Sequence, residues 1–144
     1  MKAYRRLVTA LAAVAACATV APAQAQEVHL IARVPFEFAV GNANLPRDTY
    51  RLSRLNAHPE MVLMRGDRKS AFMRTDEVRL PRDGAAPSLV FHRYGDQYFL
   101  REIRWEGSAR LDLPETTAER NAAERRSDRA AAQLETVIIV AEQR

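Results

Sequence analysis

In the stretch VHLIARVPFEFAV, every even position is apolar: Val28, Leu30, Ala32, Val34, Phe36, Phe38 and Val40. The odd positions are mixed, running His29, Ile31, Arg33, Pro35, Glu37 and Ala39. A period of two specifies one face of a sheet, so this run commits the chain to a strand with a core side and an outer side. Thirteen extended residues at about 3.3 Å each would span roughly 43 Å. That exceeds the ~35 Å diameter of a compact domain of this length, so the strand must bend or break. Pro35 marks the place, because it cannot donate to a ladder. The expectation is two strand segments, residues 28–34 and 36–40, hinged at Pro35 and keeping the same side toward the core.

Turn signals recur at short intervals downstream. GNANLPRD (41–48) reads as one turn, and TYRLSRL follows with Tyr50 and Leu52 on one face. NAHPE turns again, with His58 ahead of Pro59 in that turn, and leads into MVLMRG. DRK then precedes SAFMRTDEVRL, and PRDGAAP is a loop. Gly95 and Asp96 separate SLVFHRY from QYFLREIRW, and Gly at the first central position of a two-residue loop suits a type II′ hairpin. That register sets Phe91 opposite Leu100 and His92 opposite Phe99. Six strands in about 80 residues, joined by short links and showing no helical period, predict a mainly β fold. The architecture expected is a small antiparallel β-barrel or sandwich, a meander of six to seven strands with a C-terminal polar helix.

The composition shifts after residue 114, which closes a β domain over 26–114. From Glu115 to Glu135 the chain is rich in Ala, Arg, Glu and Asp, and Thr116 with Glu119 fits a capping box. The segment 115–135 therefore reads as a helix, but it offers no apolar stripe wide enough for firm docking: a solvated helix or an arm. Residues 136–144 differ, because Val137 to Val140 are contiguous, uncharged and β-branched. Left open they would invite aggregation, so they are expected to pair as a final strand.

The first 25 residues carry a basic start (Lys2, Arg5, Arg6), an apolar run from Leu7 to Val20, and Ala23 and Ala25 flanking Gln24. This is the pattern of a secretory signal peptide over 1–25, cleaved between Ala25 and Gln26. VAAC, ending at Cys17, offers a competing reading as a lipobox, with Cys17 lipidated. Either way the protein is exported, to the periplasm or beyond, free or tethered by a lipid anchor. No later segment approaches the roughly 20 apolar residues of a membrane span. A transmembrane barrel would need at least eight strands of about 9 to 11 residues with an outward apolar band, more and longer strands than these.

Export also changes the charge. Of 22 basic residues, Lys2, Arg5 and Arg6 leave with the signal, so 19 remain against 18 acidic ones. These alternate in sign without a polybasic block, which argues against a nucleic-acid partner. Cys17 is the single cysteine, so cleavage after Ala25 leaves no disulfide, thiolate or Cys-based zinc site.

VPFEFAVGNANLPRDTY (34–50) resembles the V-P-F-x-F-x-V-G-x-x-x-L-P-x-G-x-Y block of a family of small, uncharacterised exported proteins of Gram-negative bacteria. LVFHRYGDQYFLREI (89–103) is similar to that family's second block. Together with the link between them these blocks cover roughly half of the mature chain, with Asp48 standing where the family often has Gly. The resemblance implies export and a β fold and lends no catalytic residue.

His29, His58 and His92 show no metal-ligand spacing, and the chain has no G-x-S-x-G, P-loop or G-x-G-x-x-G motif. No cofactor or metal is expected. His92, Tyr94 and Asp96 form an H-x-Y-x-D run that an enzyme, hydrolase-like, would use from one strand face. Turn chemistry alone accounts for Gly95 and Asp96. The candidate binding residues are His92, Tyr94, Tyr98 and Trp105, for a small apolar ligand or an envelope protein. The binding reading is preferred, with the enzyme as the alternative.

Overall fold

The computed structural model describes residues 29–79, 85–105, 109–127 and 134–144. The expected signal segment with Cys17 and the Ala25–Gln26 cleavage site lies outside the described residues. The described chain is mainly β. Its strands are β1 (Leu30–Val34), β2 (Phe38–Val40), β3 (Ala43–Leu45), β4 (Asp48–Leu55), β5 (His58–Arg65) and β6 (Ser70–Arg74). There follow β7 (Asp76–Arg79), β8 (Ser88–Tyr94), β9 (Gln97–Arg104), β10 (Ala109–Asp112), helix α1 (Thr117–Ser127), β11 (Glu135–Val140) and β12 (Glu142–Gln143).

The described residues form twelve strands rather than the six or seven expected, and three stretches depart from the expectation. GNANLPRD is not a single turn. Gly41, at φ +55°, permits a tight reversal with Asn42, after which Ala43–Leu45 folds back on β2. The turn before β5 is only Asn56 and Ala57, so His58 and Pro59 open the strand rather than sit in the loop. An irregularity between Arg54 and Leu55 accompanies that strand start, the kind of place where proline is tolerated in a sheet. SAFMRTDEVRL divides at Thr75 into β6 and β7, which belong to different sheets.

One sheet has the order β12-β1-β4-β5-β6 and is antiparallel throughout; the other runs β11-β8-β9-β10-β7. The β2–β3 hairpin joins the second sheet where Ala39 pairs in parallel with Phe99 on β9. Neither path closes on itself. The chain crosses between sheets at Pro35–Glu37, Pro46–Arg47, Thr75 and Ala141, and local chemistry fits the first, third and fourth of these. Pro35 has no N–H to leave unpaired. Buried Thr75 donates both its N–H and its hydroxyl to the Glu60 carbonyl, at 2.8 and 3.1 Å. Ala141 donates its N–H to the Pro87 carbonyl at 2.8 Å.

Because the Pro35 crossing preserves the alternation, the ruler of the first strand reads straight into the core. Leu30, Ala32, Val34, Phe38 and Val40 are all buried, together with Tyr50, Leu52, Val62 and Met64 from the first sheet. Leu89, Phe91, Leu100, Ile103 and Leu111 complete the same cluster from the second. A fully buried side chain of this size is worth about 1.5–3 kcal/mol, so the shared cluster is what holds the two sheets together. At the Pro35 corner the rings interlock. Phe36 meets Phe91 edge-on at 5.2 Å, and Phe38 meets both Phe91 and Tyr50 edge-on at 5.2 and 5.4 Å.

Candidate functional site

The β8–β9 hairpin turns at Gly95, whose φ of +68° has the sign a type II′ turn requires at its first central position. Its register sets Phe91 opposite Leu100 and His92 opposite Phe99, as the turn sequence implies. Alternation then turns Phe91, Arg93, Leu100 and Tyr98 inward, and Val90, His92, Tyr94 and Phe99 outward. Between Val90 and Phe91 the register slips, so Val90 faces Glu102 while Phe91 faces Leu100. Arg101 is the extra residue of this bulge, a device that re-aims a side chain.

Arg101 reaches the helix lying over the outer face. Thr116 caps α1, its hydroxyl accepting the Glu119 N–H at 3.1 Å. The Glu119 carboxylate turns down onto the sheet. Its Oε1 lies 3.2 Å from His92 Nδ1, and its Oε2 accepts from Arg101 Nη1 at 3.1 Å. Glu119 is 2% exposed, whereas the His92 and Arg101 side chains keep 25% and 23% of their surface in water. Burying a carboxylate is costly unless it is paired and hydrogen-bonded, and here each oxygen has a partner.

The segment expected as a solvated helix or an arm is helical over Thr117–Ser127 and mostly exposed, with Glu119 as its anchor to the sheet. Helix α1 packs against β8 with Glu119 and Ala122 buried. No apolar periodicity announces such a contact, because the group that holds the helix down is charged. Tyr94 completes the cluster, its ring edge-on to His92 at 6.4 Å and to Phe99 at 5.9 Å. Burial raises the Tyr94 hydroxyl above its ordinary value, and the Glu119 and Glu115 carboxylates push the same way against Arg101.

The remaining candidates lie elsewhere. Asp96 is exposed at the hairpin tip. Tyr98 faces inward, stacked on Phe36 at 3.9 Å with the Arg93 guanidinium 5.4 Å from its ring centre. Trp105 is buried in the core cluster. The structure thus brings His92 and Tyr94 together on one face and puts Tyr98 and Trp105 on the other. To the first pair it adds Arg101 and Glu119. Sequence reading flagged Glu119 only as a cap, and it flagged Arg101 not at all.

No family model, curated protein or solved structure matches this chain. What the cluster can do follows from its geometry alone. A carboxylate beside an imidazole orients the ring, which is half of a general acid–base arrangement. The adjacent phenol, however, holds its proton more tightly than a free tyrosine, the wrong direction for a nucleophile. Among the described residues no group of three or more His, Cys, Asp or Glu gathers to hold a metal.

Several grooves lie away from this cluster, among them two of note. One of about 640 Å³ runs between the Gly41 turn, β6 and the linker ahead of α1. The other, about 360 Å³, is lined by residues that include His29, Arg51, Ser53, Leu63 and Arg65.

Proposed function

We propose that this protein is an exported, non-enzymatic binding or cell-envelope-associated domain, built as a β-sandwich. Support for the sandwich comes from the inner faces of the two sheets, which contribute to one hydrophobic cluster. The observation that carries the binding reading is the internal use of Glu119. Both oxygens of the catalytic-type carboxylate are engaged by His92 and Arg101 beneath a helix, so the cluster serves docking rather than chemistry on a substrate. Export rests on the signal-like pattern of residues 1–25 and on the resemblance of the two sequence blocks to a family of exported proteins.

The test is the intact mass of the protein from its own envelope fraction, under native and then denaturing conditions. A chain starting at Gln26 with extra native mass supports a periplasmic carrier. An acylated chain starting at Cys17 supports a tethered envelope component. A chain starting at Met1 overturns export. A second reading, an enzyme using His92 with Tyr94, draws on the 3.2 Å His92–Glu119 contact. It requires a hydrolytic activity that disappears in His92→Gln while the fold is kept.

A further inference from the structure

We infer that the outer face of the five-stranded sheet carries a binding site for a phosphate-class oxyanion, centred on Arg51 and Arg65. The inference deepens the binding reading above and rests on it. In the sequence, the basic residues of β1, β4, β5 and β6 are scattered singly among apolar positions. In the sheet, Leu30, Tyr50, Leu52, Val62, Met64 and Met73 turn inward, so the intervening side chains share the outer face.

The register brings two of them directly opposite one another, Arg51 on β4 and Arg65 on β5. Like charges so placed repel. No acid sits between them: Arg51 has Ile31 on its other side, and Arg65 has Ser70. Across β1 the nearest acid in that row is Glu142, opposite Ile31, and it is paired with Arg144 at 3.4 Å. Arg54, at the end of the groove, is committed to Glu77. Eight arginines make ion pairs; Arg33, Arg51, Arg65 and Arg74, all projecting from this face, make none among the described residues, and neither do Arg47, Arg120 and Arg125 elsewhere.

Arg51 and Arg65 line the groove of about 360 Å³, with Ser53 and His29 beside them. His29 Nδ1 is shielded from solvent without a hydrogen-bond partner, an unused polar atom in the groove wall. Two guanidinium forks, a hydroxyl and a ring nitrogen make a donor-rich set. Guanidinium forks match the paired oxygens of a phosphate, and a phosphomonoester brings close to two negative charges to offset two positive ones. A single carboxylate would leave one arginine uncompensated. The anion has two sources, a free phosphate compound or the phosphomonoester headgroup of a lipid.

The experiment is calorimetric titration of the purified full chain with inorganic phosphate at constant ionic strength, beside co-sedimentation with phosphatidic acid and phosphatidylcholine vesicles. The proteins compared are the wild type, Arg51→Gln, Arg65→Gln, their double variant, and Arg120→Gln on the exposed helix face. Saturable phosphate binding, weakened at least tenfold in the double variant and unchanged in Arg120→Gln, supports a soluble phosphate ligand. Retention on phosphatidic acid vesicles alone, lost in the double variant, supports a headgroup. Both single variants should also unfold no earlier than wild type, because each removes a repulsion, so lost binding is separable from lost fold. Absence of saturable binding to either probe, or equal binding by the double variant, overturns the site. If native mass shows a ligand that the double variant retains, this site fails while the binding reading stands.

Discussion

His92 Nδ1 and Glu119 Oε1 meet at 3.2 Å between β8 and α1, and this contact, with its Arg101 counterpart at 3.1 Å, holds a helix that has little apolar surface of its own. Removing a carboxylate from such a network leaves two partners facing a space they cannot hydrate fully. For deeply buried pairs the cost is about 3–5 kcal/mol. His92 and Arg101 are roughly a quarter exposed, so the expectation here is smaller.

Glu119→Ala is expected to lower stability by about 1–3 kcal/mol and to release α1. Denaturant unfolding gives the first quantity. Amide exchange over 117–127 gives the second, and unchanged protection there would show that the helix is held by something else.

Tyr50 ties alkaline stability to the core. Its hydroxyl donates to the Pro46 carbonyl, and burial, reinforced by Asp48 against Arg68, pushes it from 10.0 up to about 12. A folded value above the unfolded one means the stabilisation is complete below pH 10 and is lost as pH rises toward 12. Tyr50→Phe should therefore cost about 0.5–1.5 kcal/mol at pH 7 through the lost hydrogen bond. The same variant should close that gap as the pH rises, and parallel stability curves would contradict the assignment.

Gly66 has no room for a side chain. A Cβ there would sit 2.6 Å from Tyr50 Cε1 and 3.1 Å from the Lys69 carbonyl oxygen. The Tyr50 ring is fully buried and cannot swing aside cheaply. Gly66→Ala is expected to destabilise by about 1–3 kcal/mol, read from the urea midpoint, and Gly66→Ala with Tyr50→Leu should recover part of it.

Arg54 on β4 and Glu77 on β7 pair across the two sheets. Chiefly through its hydrogen bond from Arg54, the Glu77 carboxyl is held below its ordinary 4.5. A depressed folded value contributes stability at neutral pH that is lost as pH falls through and below that range. Glu77→Gln should narrow the difference in thermal midpoint between neutral and acid conditions. An unchanged difference would mean the pair is too well solvated to matter.

Much of the fold can be read from the sequence because alternation and turn chemistry are local. The even-numbered apolar ruler of the first strand, the inward Tyr50 and Leu52, and the Phe91–Leu100 register all follow from neighbours within a few residues. What escapes is set by distant partners. Thr75 carries no turn signature, and its crossing depends on a carbonyl fifteen positions earlier, that of Glu60. Glu119 fits a capping box by spacing, yet its side chain is claimed by His92 and Arg101 from another layer. Arg51 and Arg65 belong to one hairpin, but the register that makes them a pair includes the irregularity between Arg54 and Leu55, which the turn sequence does not announce.

The two ends of the described chain lie side by side. His29 and Arg144 exchange backbone hydrogen bonds at 2.8 and 2.9 Å, and β12 pairs with β1. The first strand therefore waits for the last few residues before its outer edge is closed. Closing that edge couples residues 142–144 to the start of the domain, and any tether there would hold residues 142–144 at the same pole.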